Sequence, residues 1–336
     1  MSKEKSLMLK GVAILMMVFL HLFNNLGFVA YCHPLLYVGD KPLAYIITRA
    51  CVPVGFFLML SGYGLDCLYT AQRDMGLKAQ GRRLLKLFVA YWLILLIFVS
   101  IGSFVRPEKY PGDAWEMIGN LTSWKNSYNA EHWFLFPYTM LSITALYIFK
   151  LVDKLGRWKS VALFGFLYLV SGYIISRYIA VEKSYDSVFA HFITYIELTF
   201  EFVLGALLHR VSVERGLKIE RLAGKNVLVL SLLLLLITAQ CFITTGVFGF
   251  LYLLCFIVLF LQLRIGKVAA TVLQFLGKYS MVMWLTHSFF CYHLFHDFIY
   301  SFDNPLFIFI VLMAITIAVS IPIKWIADKI VGVMKL

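Results

Sequence analysis

The feature that most constrains this chain is a succession of apolar runs, each about as long as a bilayer is thick. A helix needs roughly 20 mostly apolar residues to cross a hydrocarbon core of about 30 Å. Ten stretches meet that need: 7–29, 43–66, 84–105, 133–150, 160–179, 190–209, 226–244, 246–263, 279–300 and 304–327. Within lipid the backbone must satisfy its own hydrogen bonds, so helices are expected. A barrel would show short alternating segments, whereas Val227 to Ile237 is continuous and leucine-rich. Only 14% of the 336 residues are charged and 61% are hydrophobic, too little charge to cover a soluble surface of this size. The expected fold is an all-α polytopic membrane bundle of about ten transmembrane helices, one integral-membrane domain over 1–336 with no separate soluble domain.

Loop charges test the count. Alternate loops hold Lys3, Lys5, Lys10; Arg73, Lys78, Arg82, Arg83, Lys86; Lys150, Lys154, Arg157, Lys159; Arg210, Arg215, Lys218, Arg221, Lys225; Arg264, Lys267, Lys278; and Lys324, Lys329, Lys335. The opposite loops hold Lys41, Arg106, Lys109, Lys125, Arg177 and Lys183, a bias of 23 to 6. A wrong number of spans would scramble that alternation. The positive-inside rule then places both termini in the cytoplasm. It also accounts for the net charge of +12 without nucleic acid. The first apolar run is too long for a signal-peptide core and reads as a retained span. The six cysteines form no C-x-x-C pair, so neither a disulfide framework nor a metal site is implied.

Ionisable groups inside a span are costly and mark function by default. His21 lies eleven residues past Lys10, about 16 Å along a helix, and Asn24 and Asn25 follow it. His287 lies nine residues past Lys278, about 14 Å deep, and His293, His296 and Asp297 continue outwards. Glu201 lies nine residues before Arg210, again about 14 Å from the cytoplasmic edge, with Glu197 one turn beyond on the same face. These four side chains share a depth. Arg49, near the outer end of its span, suits either an anionic ligand or snorkelling to the interface. Arg82, Arg83 and Lys86 suit either phosphate groups or positive-inside anchoring. The loop 106–132 is either a lid over an outward cavity or a plain connector. Its Asn120-Leu-Thr122 triplet matches a glycosylation sequon, a pattern common by chance.

Five segments together resemble acyltransferase family 3, the integral-membrane O-acyltransferases of bacteria. They are Lys10, Ala13, Leu15 and His21, similar to an R-x-x-A-x-L-x-x-x-x-x-H opening; Phe56, Phe57, Ser61, Gly62 and Tyr63, similar to F-F-x-x-S-G-[FY] with one residue more before the serine; Arg83 to Lys86, similar to R-x-x-R; Trp133, Phe134 and Leu135, similar to W-[FY]-L; and Leu276, Gly277, Ser280, Trp284, Leu285 and His287, similar to L-G-x-x-S…Y-L-x-H. Lys10 and Lys86 stand where the family has Arg, and Val89 where a Pro is common. The resemblance implies a bacterial inner-membrane enzyme. It would transfer an acyl group, usually acetyl, from cytoplasmic acetyl-CoA or another acyl-CoA to a hydroxyl of a cell-surface or lipid-linked carbohydrate. It implies His21 as base, with Glu201, Glu197 or His287 orienting it or handling protons. Arg82, Arg83, Lys86 and Lys10 would meet the CoA phosphates, and Ser61 would line the donor tunnel. Arg49, Asn24, His132 and Trp133 are candidates for the acceptor. The competing reading is a proton-coupled transporter or exporter, since buried His and Glu also suit proton relays.

Overall fold

A computed structural model describes residues 1–222 and 224–334, so Lys335 of the basic set lies outside the described residues. The structure is mainly helical. The helices are α1 (Lys3–Phe23), α2 (Leu43–Thr48), α3 (Pro53–Thr70), α4 (Leu77–Val105), α5 (Ala114–Leu121), α6 (Leu135–Ile174), α7 (Ala180–Glu182), α8 (Val188–Arg215), α9 (Asn226–Phe242), α10 (Gly249–Gln262), α11 (Lys267–Ser288), α12 (His296–Tyr300) and α13 (Pro305–Val333). Among the described residues the strands are one two-residue pair, Tyr37–Val38 with Lys41–Pro42.

Among the described residues, seven helical stretches are long and apolar enough to cross a membrane: Lys3–Phe23, Leu43–Thr70, Leu77–Val105, Ala130–Glu182, Val188–Arg215, Lys267–Leu294 and Pro305–Val333. Ala130–Glu182 holds two of the expected runs, 133–150 and 160–179, because Gly156 breaks α6 with φ 73°, ψ 175°. A side chain would resist that backbone; glycine does not. Asn226–Phe242 and Gly249–Gln262 are apolar but shorter.

Three local expectations change. The run 43–66 is interrupted between α2 and α3, because Pro53 lacks an amide hydrogen and disfavours helical geometry at Val52. The first helix begins at Lys3, where the Ser2 hydroxyl accepts from Lys5 N, and ends at Phe23 rather than near residue 29. Asn24 is therefore an exposed C-cap and lies past the helical part of the span. Asn25 ends the span by accepting from Gly27 N at 2.8 Å, a side-chain turn typical of Asn. Finally, α4 starts at Leu77, so Arg82, Arg83 and Lys86 lie within its second and third turns.

The chain forms two compact units. The first contains Met1–Phe56, Ala90–Tyr110 and Leu217–Val333; the second is built from Phe57–Val89 and Pro111–Gly216. In the first, α1 and α11 run parallel. Gly11 faces the backbone of Leu273, and Gly277 faces the backbone of Leu7. A Cβ on either glycine would press into the opposite carbonyl, 2.9 Å from the Leu273 carbon or 2.8 Å from the Leu7 carbon. In lipid, helices gain little from hydrophobic association, and small residues at the crossing permit the close packing that holds them. The second unit repeats the device with α3 and α8. Gly62 faces the Phe202 backbone, and Gly205 faces the Met59 backbone.

The segment after Tyr110 is folded on itself within the second unit. Asn120 is fully buried. Its amide donates to Glu116 O and Ser127 Oγ, both at 2.8 Å, and its Oδ1 accepts from Tyr128 N at 3.1 Å. Lys125 pairs with Glu116 at 2.8 Å, which holds the Glu116 carboxyl below its ordinary range. The sequon asparagine thus ties this segment together, with its side chain committed inside.

Candidate active site

Each glycine of the first crossing is followed ten residues later by a histidine, Gly11 by His21 and Gly277 by His287. On parallel helices that cross at those glycines, equal offsets bring the two rings to one level, about 15 Å beyond the crossing. The rings meet there. His21 Nδ1 lies 2.7 Å from His287 Nε2, with the ring planes 20° apart. His287 is fully buried and His21 is 8% exposed.

The backbone decides which nitrogens carry protons. His287 Nδ1 faces the Trp284 carbonyl at 2.7 Å and the Met283 carbonyl at 3.2 Å. Carbonyls only accept, so Nδ1 is the protonated nitrogen of neutral His287 and Nε2 is its acceptor. His21 Nδ1–H then donates to His287 Nε2, which leaves the lone pair of neutral His21 on Nε2. A ring fixed in one tautomer by a second group is the arrangement a general base requires. Two tyrosines secure the end of α1: Tyr292 donates to the His21 carbonyl, and Tyr300 to the Leu22 carbonyl at 2.8 Å. Both carbonyls belong to the last turn, where no intrahelical partner exists. Tyr292 sits on the π-helical turn Phe289–Leu294 that continues α11.

The other expected residues are distributed as follows. Lys10, half-buried, adjoins the Gly11 crossing. Arg49 donates to the Cys241 carbonyl at 3.3 Å and lies over the Tyr45 ring, while Gln240 donates to the Arg49 carbonyl at 3.4 Å. All of these are in the first unit. Glu197 and Glu201 belong to the second, half-buried one turn apart on α8, with Tyr168 of α6 as their electrostatic neighbour. The structure therefore brings His21 and His287 into contact, and sets the two glutamates one turn apart on α8. Ser61 donates to the Tyr138 hydroxyl at 3.4 Å. His132 is buried and Trp133 is 38% exposed on the turn before α6. Arg83 reaches Met75 Sδ and the Asp74 carbonyl, whereas Arg82 and Lys86 are exposed.

Sequence reasoning missed a second buried constellation. At the α3–α8 crossing, Asp66 follows Gly62 by four residues and His209 follows Gly205 by four, so the same equal-offset logic brings them together. Fully buried Asp66 accepts from His209 Nδ1 at 2.8 Å and from Arg210 at 2.9 Å. Arg210 also binds Asp153 at 2.7 Å, and Tyr69 donates to the same carboxylate. Arg210 had counted only as a loop charge. Removing Asp66 takes the carboxylate from His209 and from one side of Arg210, which keeps Asp153; such a loss costs about 3–5 kcal/mol in a fully buried pair, an upper bound here. Asp66→Asn is expected to lower the thermal midpoint of the purified protein. Adding Arg210→Met should recover part of the loss; an unchanged midpoint for Asp66→Asn would contradict this account.

A model of the acyltransferase 3 family, described as an acyltransferase domain, matches residues 8–325. The chain belongs to that family. Comparison with curated proteins and with solved structures gives no match. The match spans nearly the whole of this membrane acyltransferase, including both histidines and both glycine crossings. Among the described residues of the acyltransferase, no group of three or more His, Cys, Asp or Glu is arranged to hold a metal.

Proposed function

We propose that this acyltransferase moves an acyl group, acetyl by default, from cytoplasmic acyl-CoA to a hydroxyl of a cell-surface or lipid-linked carbohydrate. Its setting in this proposal is the bacterial inner membrane, with ten spans and both termini cytoplasmic. The observation that carries the reading is the His21–His287 pair, whose tautomers are dictated by the Trp284 and Met283 carbonyls.

The chemistry follows from that pair. His21 Nε2 removes the proton of the acceptor hydroxyl as its oxygen bonds to the acyl carbon. The carbon–sulfur bond breaks, and the departing CoA thiolate takes the proton from the His21 imidazolium. Products are the ester and CoA thiol. His287 acts as a positioning residue: it accepts the His21 Nδ1–H throughout and stabilises the imidazolium formed in between. Exposed Arg82 and Lys86, with Arg83 and Lys10, supply the cations for CoA phosphates. Ser61 lines the donor path. Glu197 and Glu201 handle protons. Asn24, Arg49, His132 and Trp133 serve the acceptor.

The test is transfer of label from labelled acetyl-CoA to extractable glycan in membranes containing the protein. Protein-dependent labelling is expected. Proton flux in vesicles driven by a sugar, with no acyl product, would replace this reading with the transporter.

A further inference from the structure

After α4 ends at Val105, the chain turns through Arg106–Tyr110 in the first unit and meets the π-helical turn that follows His287. Two cations from this turn converge on His293. Arg106 Nη1 donates to the His293 carbonyl at 3.4 Å, and Lys109 Nζ to His293 Nδ1 at 3.2 Å. They differ in what neutralises them. Arg106 has a carboxylate, Glu108, at 2.9 Å. Among the described residues no carboxylate lies within ion-pair distance of Lys109. Its neighbours besides His293 are the Tyr110 ring, 5.2 Å away, Arg106, and Glu108, whose carboxylate acts on it from a distance while bonded to Arg106.

Lys109 is half-buried. Burial first, and repulsion by Arg106 second, hold its ammonium below the ordinary lysine range. The Glu108 carboxylate offsets this only in part; a charge partly withdrawn from water and with no carboxylate in contact is costly, and an anion would relieve it. An ammonium has three donors, of which the imidazole uses one. The site is also connected to the histidine pair. The His293 ring is 6.3 Å from that of Tyr292, and the Tyr292 ring is 6.2 Å from that of His21.

We infer that Lys109 binds an anionic oxygen group, a carboxylate or a phosphate, on the molecule that presents its hydroxyl to His21, so that the acceptor is an acidic rather than a neutral saccharide. The anion site stands on this geometry alone; naming its occupant the acceptor rests on the acyl-transfer reading. An anionic lipid headgroup offers the same chemistry and is the other source.

The test uses the full chain in nanodiscs of neutral lipid. Acetylation of lysines by an amine-reactive ester is followed by peptide mass, with exposed Lys267 as internal control. D-glucuronate is expected to slow labelling of Lys109 about tenfold relative to D-glucose, a value in keeping with one charged hydrogen bond. Calorimetric titration should show glucuronate binding lost in Lys109→Gln and retained in Lys109→Arg. Equal protection by glucose, protection by no anion, or unchanged glucuronate binding in Lys109→Gln overturns the site. Protection by phosphatidylglycerol nanodiscs, with nothing added by glucuronate, overturns the acceptor as occupant. None of these readouts measures acyl transfer, so failure of the transfer reading is seen separately.

Discussion

Replacing His21 with alanine is expected to cut acyl transfer by about 10²- to 10⁴-fold, the range for loss of a positioned general base. The reason lies in where the proton must go. The His21 Nδ1 proton is committed to His287, so proton removal from the attacking hydroxyl falls to Nε2. Alanine removes that nitrogen and leaves His287 Nε2 facing a gap. His287→Ala should also slow transfer, but less, because His21 would keep its ring and lose only the partner that sets its tautomer. That loss should appear in kcat with little change in KM, since His287 is fully buried beneath His21. The measurement is transfer by purified variants that insert and elute as the parent does. A His21→Ala variant with near-parental transfer would remove His21 from the chemistry.

Gly277→Ala is expected to impair both stability and transfer. The new Cβ would meet backbone, not a flexible side chain: the Leu7 carbonyl group and Gly11 N, the latter at 3.2 Å. Backbone cannot rotate aside, so α1 and α11 must separate. Overpacking of this kind costs about 1–3 kcal/mol. The His21–His287 bond lies about 15 Å along the same two helices and would be displaced with them. A misplacement of about 1 Å in a catalytic geometry can cost about 10²-fold in rate, and a loss of that order is expected here. Gly11→Ala should behave alike, because its Cβ would meet the Leu273 carbonyl. Gly81→Ala is the control. It lies in α4, with no atom within 4 Å of the added Cβ, and alanine there should leave stability unchanged or slightly raised. Thermal midpoints and transfer rates of the three variants decide the matter. A Gly277→Ala protein as stable and as active as the Gly81→Ala protein would contradict the close crossing.

Much of this was legible along the chain. Lipid leaves so few options for backbone polar groups that continuous apolar runs had to be helices, and imidazoles within them were conspicuous because such placement is costly. His21 and His287 could even be given a similar depth, since rise per residue is a property of one helix alone. The same reasoning gave Glu197 and Glu201 that depth too; they lie in the second unit, with Tyr168 as their neighbour. Depth along an axis carries no information about which helix stands next to which.

Neighbour choice was a matter for the tertiary structure. Gly11 and His21, and Gly277 and His287, share a ten-residue spacing, and Gly62 and Asp66 share four with Gly205 and His209. Those equal offsets were present in the sequence, but they acquire meaning only once α1 is known to cross α11, and α3 to cross α8. In lipid no hydrophobic gradient pushes one helix toward a particular partner. Pairing depends on close backbone approach and on polar contacts between residues more than a hundred positions apart. Single-helix properties, length, direction of charge bias and the depth of a costly side chain, are therefore written in the local sequence. The histidine tautomers, the Asp66–Arg210 cluster and the contact of Lys109 with His293 exist only after distant segments have met.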